Sequence, residues 1–405
     1  MERKINFIDL FSGCGGLLDG FLQSGVFNHV ASVEWEKAPV NTLRMRLKDK
    51  WKIDDADNSV IRFDIQRTDE LFDGFDDPNY GKHVGLTKLI DNKSVDVIIG
   101  GPPCQAYSVA GRVSVDQSEK PDYRNYLFEY YLKVVERIQP KIFVFENVPG
   151  MLSAMPDGTP IIDLIKRDIA RKGFEIIDKI SEKAIVNASD YGVPQNRKRV
   201  ILVGLNKRVY KNKTERQKLI NDFYTIILPR YKTEHIITVK EAIDDLPPCL
   251  PLFSNTRPSH TIPKCEISWH YSRFNSIRDV KIFQMLAKDI EDGVNKYTDS
   301  EELKKLYNDA TGANTNVHKY HVLRRDEPST TILAHLYKDG LRFIHYDSKQ
   351  ARTITVREAA RLQSFDDDFD FVGSMGDAFK MIGNAVPPQL AKRLALAVVE
   401  LIKEE

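Results

Sequence analysis

A cysteine follows an apolar strand pattern and two prolines, in surroundings that suit a nucleophile. The segment Val95–Ser108 ends in Gly-Gly-Pro-Pro-Cys-Gln-Ala-Tyr-Ser, so Cys104 lies at the carboxyl edge of the predicted strand. Open α/β sheets bind their ligands at this edge. As a thiolate, Cys104 would attack an electrophilic carbon. Most cysteines only fill a core, and we expect that of Cys249 and Cys265, but polar neighbours favour a nucleophilic Cys104.

A carboxylate ends the next apolar strand pattern along the chain. Glu146 closes the run Ile142–Glu146 and is followed by Asn-Val-Pro-Gly. Burial behind an apolar strand favours the protonated form of an acid, which can then donate a proton near neutral pH. The two strands should be neighbours, so Glu146 and Cys104 would face one cleft. The alternative is a surface carboxylate at a strand end.

A glycine-rich turn follows the first strand pattern. The segment Asp9–Gly16 contains three glycines, which let the backbone turn tightly and approach a ligand, and an apolar helix pattern begins after it. Glu34 ends the second strand, where an acid in such folds accepts hydrogen bonds from a ribose diol. Asp64 ends the third, where it could accept from an adenine amino group. Together they favour an adenosine-containing cofactor over purely structural glycines.

Three polar residues alternate in the segment Pro194-Gln195-Asn-Arg197-Lys-Arg199. Residues two apart in an extended chain point to the same side, so Gln195, Arg197 and Arg199 are expected to form one polar face. A planar guanidinium suits a carbonyl oxygen or a phosphate, and the spacing does not say which.

An α/β fold with a doubly wound, mostly parallel sheet would bring these residues together. Short β-branched runs alternate with helical patterns through the first half of the chain. The predicted strands are Asn6–Leu10, Val30–Glu34, Val60–Asp64, Val95–Gly100, Ile142–Glu146 and Arg199–Leu205. The predicted helices are Leu17–Ser24, Ala38–Leu47, Tyr126–Ile138, Ile161–Arg171 and a last helix near Leu394–Ile402.

The alternation stops after Leu205, so a second, smaller and irregular domain is expected. A chain of 405 residues with 42% hydrophobic and 29% charged residues is long and apolar enough for two or three folded domains, which excludes disordered and coiled-coil classes. We place a catalytic and cofactor-binding domain at residues 1–205, completed by 375–405, and the small domain at 206–374. Two Thr-x-x-Glu patterns, at Thr238 and Thr355, predict capping boxes.

The net charge of +1 conceals an uneven distribution. Residues 195–232 contain 11 Lys plus Arg and 2 acids, a net charge of +9, which leaves about −8 on the rest of the chain. A polyanion bound there would release counterions and gain affinity. A solvated charged surface over residues 207–218 is the competing interpretation.

The cysteine, histidine and hydropathy patterns predict the cellular compartment of the protein and whether it binds a metal ion. The four cysteines form no Cys-x-x-Cys pair, so we expect a reducing compartment and no structural zinc. Seven of the nine histidines lie between His235 and His345 without helical i, i+4 pairs, so they are expected at the surface, and no metal is expected. The amino terminus lacks a signal pattern, and no apolar stretch reaches the roughly 20 residues of a membrane span. We therefore expect a cytoplasmic protein without membrane contact.

Taken in order, the motifs resemble those of the DNA cytosine-5 methyltransferases. They are Asp-Leu-Phe-Ser-Gly-x-Gly-Gly, Gly-Pro-Pro-Cys-Gln-Ala-Tyr-Ser, Glu-Asn-Val, Gln-x-Arg-x-Arg, the Thr355-Val-Arg-Glu-Ala block and Gly383-Asn-Ala-Val-Pro-Pro. The resemblance covers Asn6 to about Val399 except residues 205–321, where family members differ. It implies the S-adenosylmethionine-dependent methyltransferase fold, a bacterial or phage-like stand-alone enzyme, and a target-recognition role for the small domain. Asp366, where the family usually has Pro, departs from the pattern.

The resemblance implies a chemistry for the nucleophile and the acid. Cys104 would add to C6 of a cytosine flipped out of duplex DNA, and Glu146 would protonate or hydrogen-bond N3 and the amino group. C5 would then take the methyl group of S-adenosyl-L-methionine. Arg199 would contact the cytosine O2, and Arg197 would lie near the Cys104 loop or a phosphate.

The resemblance also assigns binding residues. The cofactor residues would be Phe11, Gly13, Gly15, Glu34, Trp35, Asp64, Ile65, Pro103, Asn384 and Val386. The DNA-binding residues would be Gln105, Ser108 and Gln195.

Two alternatives to a DNA methyltransferase stay open. A related tRNA cytosine-5 methyltransferase shares the fold, but its typical Cys-Phe-Thr segment is absent, since Cys249 and Cys265 are followed by Leu-Pro and Glu-Ile. A catalytically idle DNA-binding homologue usually lacks the cysteine or the acid, and both are present here. The enzyme is expected to be a monomer of the bacterial cytoplasm or nucleoid, either an orphan or the partner of an independently acting restriction endonuclease. The sequence does not disclose the target site.

Overall fold

The computed structural model describes residues 3–91, 93–103, 126–155, 158–316 and 318–403. The chain divides into two compact units. The first comprises Met1–Gly192, Arg197–Glu234 and Ala385–Glu405, and the second comprises Val193–Asn196 and His235–Asn384. Compared with the domain limits expected from the sequence, the first unit extends beyond residue 205, and residues 375–384 lie in the second unit.

A mostly parallel sheet forms the centre of the first unit. The strands of the chain are β1 (Ile5–Leu10), β2 (Phe27–Glu34), β3 (Val60–Arg62), β4 (Phe75–Asp77), β5 (Gly81–His83), β6 (Val97–Gly100), β7 (Ile142–Asn147), β8 (Phe174–Glu175), β9 (Ile185–Asn187) and β10 (Lys198–Asn206). Their order in the sheet is β3-β2-β1-β6-β7-β10-β8, with β9 also paired to β10, while β4 and β5 form a separate hairpin. The pairs among β3, β2, β1, β6 and β7 are parallel, and β10 is antiparallel to β7. The predicted α/β fold class is confirmed.

Helices of both units account for much of the remaining chain. In the first unit they are α1 (Gly16–Gln23), α2 (Lys37–Asp49), α3 (Ala56–Ser59), α4 (Thr68–Asp73), α5 (Leu86–Ile90), α6 (Leu127–Ile138), α7 (Ile161–Arg171), α8 (Ile180–Lys183), α9 (Lys213–Asp222) and, at the end of the chain, α15 (Pro388–Lys403). In the second unit they are α10 (Val239–Ile243), α11 (Ile277–Glu291), α12 (Ser300–Thr311), α13 (Val356–Leu362) and α14 (Met375–Asn384). None of the helices in the described ranges is long and apolar enough to cross a membrane.

The last helix, α15, packs along α1 in the first unit. A Cβ atom on Gly20 would lie 2.4 Å from both the Pro388 carbonyl oxygen and the Ala391 Cβ atom. Only glycine permits this approach, so the first helix after the glycine-rich turn is fixed by the end of the chain.

The second unit has a core of its own and two helix caps that match the sequence pattern. Phe283 and Leu286 of α11 pack with Leu303 of α12 and with buried residues from the 320–344 segment. Thr238 and Thr355 each form a complete capping box with the glutamate three residues later, which confirms both predicted helix starts.

Two predictions about side-chain exposure in the second unit are wrong. His260, His270 and His345 are 2–3% exposed rather than at the surface. Their ring nitrogens bond to the Gln350 carbonyl, to Thr355 Oγ1 and to the Asp347 N–H, so tertiary partners compensate for their burial. Cys265, expected in the core, is exposed, whereas Cys249 is buried as expected.

Candidate active site

The carboxyl ends of β6 and β7 lie side by side, as the sequence pattern predicts. The two strands are parallel, with Gly100 opposite Phe145. Asn147 donates from Nδ2 to the Pro102 carbonyl oxygen over 3.2 Å, which holds the Gly-Pro-Pro segment against the end of β7. A Cβ atom on Gly101 would lie 2.9 Å from Glu146 Oε2, so a side chain at this position would displace the carboxylate. The backbone leading to Cys104 therefore passes directly beside the Glu146 carboxylate.

Glu146 is paired with an arginine from the antiparallel neighbour strand. The Arg199 Nε atom lies 2.8 Å from Glu146 Oε1, and the two side chains are 11% and 12% exposed. Arg199 also donates from Nη1 to the Lys198 carbonyl oxygen over 2.7 Å. Glu146 is therefore not an isolated acid behind an apolar strand, as the sequence suggested, but half of a nearly buried ion pair.

Arg197 adds a second buried guanidinium to this site. It is 2% exposed, and its Nη2 donates to the Ala385 carbonyl oxygen over 3.1 Å. Burial lowers the pKa of Arg197 well below its usual range, and Arg199 lowers it further while Glu146 opposes. Two guanidiniums near one carboxylate leave the site with positive charge, which suits an electron-rich ligand atom.

Gln195 and Arg197 both precede the strand that carries Arg199. β10 begins only at Lys198, and Gln195 instead forms a bridge with Ser329 in the second unit. Its side chain is fully buried, donating to the Leu362 carbonyl and accepting from the Ile332 N–H. Gln195, Arg197 and Arg199 are all buried, while Asn196 and Lys198 between them are exposed, so the alternation expected from the sequence is present. The contact of Gln195 with DNA stays a prediction.

The basic segment at residues 195–232 is not one charged surface. Arg216 is buried and pairs with Glu175, Arg230 pairs with Glu400, and Lys232 pairs with Asp190. These acids neutralise part of the positive charge counted in the sequence. The net charge of residues 195–232 therefore overstates the positive charge that is available to bind a polyanion.

The glycine-rich turn after β1 forms an open cradle. Phe11 and Gly13 have positive φ angles of 58° and 54°, and Gly15 has a φ of 93°. Apart from its chain neighbours, no atom of the described residues lies within 4 Å of where a Gly13 Cβ would be, whereas a Gly15 Cβ would lie 2.5 Å from Leu43. Gly15 is therefore needed for packing, and the space at Gly13 is available to a ligand.

The cradle is joined to the end of β2 through Glu34. Its Oε2 accepts from the Gly13 N–H over 2.9 Å, and its Oε1 accepts from the N–H groups of Trp35 and Glu36. Desolvation raises the pKa of Glu34, although the three N–H donors act against it. The carboxylate is fixed beside the cradle, and Oε2, which accepts a single bond, retains a lone pair for a ribose hydroxyl.

Trp35 and Asp64 complete the expected adenosine site at the ends of β2 and β3. Trp35 is 52% exposed, which is unusual for tryptophan and suits stacking on a base. Asp64 accepts from the Gln66 N–H over 3.0 Å, and the next residue, Ile65, is buried. The open space at Gly13, the fixed carboxylate of Glu34 and the exposed ring of Trp35 are the kinds of group that bind an adenosine-containing cofactor.

The other predicted site residues are distributed as follows. Cys104, Gln105 and Ser108 lie outside the described residues, and Pro103 is the last residue described before them. Val386 is buried in the first unit, whereas Asn384 is the last residue of the second. Their cofactor contacts stay predictions.

The sequence interpretation missed two polar groups at the end of β1 and in the glycine-rich turn after it. Asp9 and Ser12 are 1% and 7% exposed, and neither side chain has a hydrogen-bond partner within the described ranges. The available signal was an acid inside the otherwise apolar end of a strand, Phe-Ile-Asp-Leu.

Comparison with known proteins places this geometry in a family. The family model for C-5 cytosine-specific DNA methylases matches residues 5–400. The type II methyltransferase M.Bpa9945I of Bacillus paralicheniformis is 32% identical, over 98% of this chain and 98% of its own length. The type II methyltransferase M1.HphI of Haemophilus parahaemolyticus is 31% identical, over 99% of this chain and 88% of its own.

Solved structures agree on the fold. A structure described as a DNA modification methyltransferase encoded within an E. coli prophage has a TM-score of 0.62 at 23% identity, covering 99% of this chain and 100% of its own. The Dnmt2 methyltransferase of S. pombe has a TM-score of 0.57 at 12% identity, covering 99% of each chain. The chain therefore belongs to the C-5 cytosine-specific DNA methylase family.

Proposed function

We propose that this DNA cytosine-5 methyltransferase methylates one cytosine in a short duplex DNA sequence through a covalent bond between Cys104 and C6. The observation that carries the proposal is the nearly buried Glu146–Arg199 pair, which lies beside the backbone leading to Cys104. Such a pair can hydrogen-bond the polar edge of a pyrimidine while a thiolate attacks its ring.

Cytosine C5 is a weak nucleophile until a group adds to C6. Attack by the Cys104 thiolate forms the S–C6 bond and moves electron density toward N3, where a proton or hydrogen bond from Glu146 stabilises it. The remaining N–H donors of Arg199 are available to the cytosine O2. After C5 has been methylated, loss of the C5 proton restores the ring double bond and expels Cys104.

The base must leave the helix for this chemistry, because its reacting atoms are stacked inside the duplex. Arg197 carries positive charge that suits a phosphate or the Cys104 loop. Gln105, Ser108 and Gln195 are proposed to contact the DNA, and the variable part of the second unit to read the target sequence.

S-adenosyl-L-methionine is the proposed cofactor, and when bound it supplies an electrophilic methyl group. Glu34 would hold the ribose hydroxyls, Asp64 the adenine amino group, and Trp35 the face of the base, while Gly13 gives the amino-acid tail room. Contributions from Phe11, Gly15, Ile65, Pro103, Asn384 and Val386 are part of the same proposal.

The biological setting is proposed from the relatives. Because these are type II methyltransferases, we infer a modification enzyme that either protects DNA from an independent restriction endonuclease or acts alone. We further propose that it works as a monomer in the bacterial cytoplasm.

The test measures transfer of a labelled methyl group to duplex DNA and, separately, to tRNA. Transfer to duplex DNA is expected, and transfer confined to tRNA would replace this proposal with the tRNA alternative. Methylation-aware sequencing of DNA from a host that expresses the protein identifies the target site.

The nucleophile is tested with the Cys104→Ser variant and with duplex DNA containing 5-fluorocytosine. Fluorine at C5 leaves no proton to remove, so the wild-type protein should remain covalently bound to the DNA, and the variant should not. Methylation by Cys104→Ser would exclude Cys104 as the nucleophile, whereas a wild type without activity on any DNA would support the idle homologue.

A further inference from the structure

A cluster of basic side chains in the second unit has no role in the chemistry described above. The segment His318-Lys-Tyr-His-Val-Leu-Arg-Arg325 contains three Lys plus Arg and two histidines. Hydrogen bonds of 2.9 Å from the His321 N–H to the Leu341 carbonyl, and from the Ile344 N–H to the His321 carbonyl, place a second segment beside it. Arg342, which lies between these two partners in the chain, is thereby brought close to His321.

His321 lies among like charges. Burial lowers its pKa, and the positive charges of Arg324, Arg342 and His318 lower it further. No acid is among the described groups that shift this pKa. Within the described ranges the ring of His321 has no hydrogen-bond partner, although the residue is only partly exposed. The cluster is therefore electropositive and has an unused ring N–H at its centre.

Asp339, an acid three residues before Arg342, is already engaged elsewhere. Its Oδ2 lies 3.5 Å from Lys319 Nζ, and its Oδ1 accepts from a backbone N–H over 3.1 Å. Arg342 is exposed and has no ion-pair partner in the described part of the chain, and Arg324 reaches only the Asn295 amide oxygen, at 3.5 Å. Two guanidiniums beside one imidazole are left for an external anion.

The chemistry of these groups suits a phosphate. Like charges held together repel one another unless an anion lies between them. A guanidinium matches two phosphate oxygens with parallel N–H groups, and a neutral imidazole adds one further donor. Duplex DNA, the proposed substrate, carries such a phosphate at every nucleotide.

We propose that Arg324, Arg342 and His321 form a binding site for a backbone phosphate of duplex DNA. The proposal rests on DNA as the substrate and adds a contact within the second unit that does not depend on sequence. Such contacts fix the register of a protein on the duplex, whereas contacts with base edges read the sequence.

DNA binding by the full chain, measured by fluorescence anisotropy at several salt concentrations, tests the site. Arg342→Ala should weaken target and non-target duplexes by the same factor, about fivefold at about 0.15 M salt, and should reduce the salt slope of log K by about 1. Arg342→Lys should retain most of the affinity, because a phosphate also accepts a point charge. The unfolding temperature should change little, because Arg342 is exposed.

Lys305→Ala is the matched control. Lys305 is an exposed cation of α12 in the same unit and has no partner among the described residues. Removing it changes the net charge by the same amount, so its salt slope and affinity should stay at the wild-type values.

Uncharged methylphosphonates, placed one at a time in the duplex, locate the phosphate. One position should weaken the wild type about as much as Arg342→Ala does, and should cause no further loss in that variant. Inorganic phosphate tests the other source of the same chemistry. If it shifted the His321 ring resonances in an NMR titration and DNA did not, the site would bind free phosphate and the proposal would be overturned.

The remaining outcomes separate this inference from the proposed function. Wild-type affinity and salt slope in both Arg342→Ala and Arg324→Ala would overturn the site and leave the methyltransferase assignment intact. A loss confined to the target duplex would indicate a base contact, and an equal loss in Lys305→Ala would indicate only net charge, so either would overturn the phosphate site. A wild-type protein that binds no duplex DNA would overturn the proposed function as well.

Discussion

Arg199 and Glu146 join two antiparallel strands through a nearly buried ion pair, with 2.8 Å between Nε and Oε1. The other carboxylate oxygen, Oε2, faces the segment that leads to Cys104, since a Cβ atom added to Gly101 would lie 2.9 Å from it. Glu146 thus lies between the Arg199 guanidinium on one side and the Gly101 backbone on the other.

Replacing Glu146 separates its charge from its shape. Glu146→Gln keeps an acceptor for Arg199 but cannot deliver a proton, so methyl transfer should fall by about 100-fold or more with little change in stability. Glu146→Ala leaves Arg199 buried without its partner and should lower the free energy of unfolding by about 3–5 kcal/mol. Labelled methyl transfer and urea unfolding measure the two effects. Near wild-type transfer by Glu146→Gln would exclude Glu146 as the acid.

Adding one methyl group at Gly101 should disturb the site more than the fold. In Gly101→Ala the new Cβ would meet Glu146 Oε2 and displace the carboxylate, so methyl transfer should fall at least tenfold while the unfolding temperature changes little. Gly376→Ala is the matched control, because its Cβ would meet nothing closer than Ser374 Oγ at 3.5 Å. Equal activities of the two variants would contradict the predicted clash.

Acid should destabilise the protein through its buried histidines. Desolvation lowers the pKa of His260 and of His345 to about 4, and it also lowers the pKa of His270. Between the ordinary value of 6.5 and about 4, the unfolded chain binds protons that the folded protein does not. The free energy of unfolding should therefore be fully present above pH 6.5 and fall as the pH falls toward 4.

A single substitution tests this pH dependence. His345→Asn retains an acceptor near Nδ1 for the Asp347 N–H but removes the titrating ring. Its pH slope of stability, from urea unfolding at several pH values, should be shallower by about one proton. An unchanged slope would show that other groups control the acid sensitivity.

The two capping boxes differ in exposure, so removing each threonine compares the stability that an exposed cap and a buried cap contribute. Thr238→Ala should lower the free energy of unfolding by about 1 kcal/mol. Thr355→Ala should lower the free energy of unfolding by more than this. Thr355 is 1% exposed, and its hydroxyl also bonds to His270 Nδ1. The substitution would therefore leave the buried His270 ring with one hydrogen-bond partner fewer. Urea unfolding of both variants provides the comparison, and a larger loss for Thr238→Ala would contradict it.

Local patterns predicted the elements of the first unit well. The helix Ile161–Arg171 has the predicted bounds, and the six predicted strands all occur, because apolar periodicity reports directly on burial. The neighbouring positions of Glu146 and the Cys104 segment followed from sheet topology.

Contacts between distant segments account for the errors. The pairing of Glu146 with Arg199, the hydrogen-bond partners of Gln195 and the burial of the histidines depend on residues up to 168 positions away in the chain. Cys265 is exposed in an irregular segment where no period indicates which side faces inward. Residue type and spacing indicate what a side chain can do, whereas its partners depend on the tertiary fold.

The packing of α15 against α1 has a consequence for how the chain is made. Domains usually fold as they leave the ribosome, amino-terminal segments first. Here the first unit takes its last helix from the final residues of the chain, and Gly20 lies against Pro388 and Ala391. The glycine-rich turn can therefore reach its final support only after residues 388–403 have been synthesised, and a truncation that removes α15 should disable the amino-terminal unit.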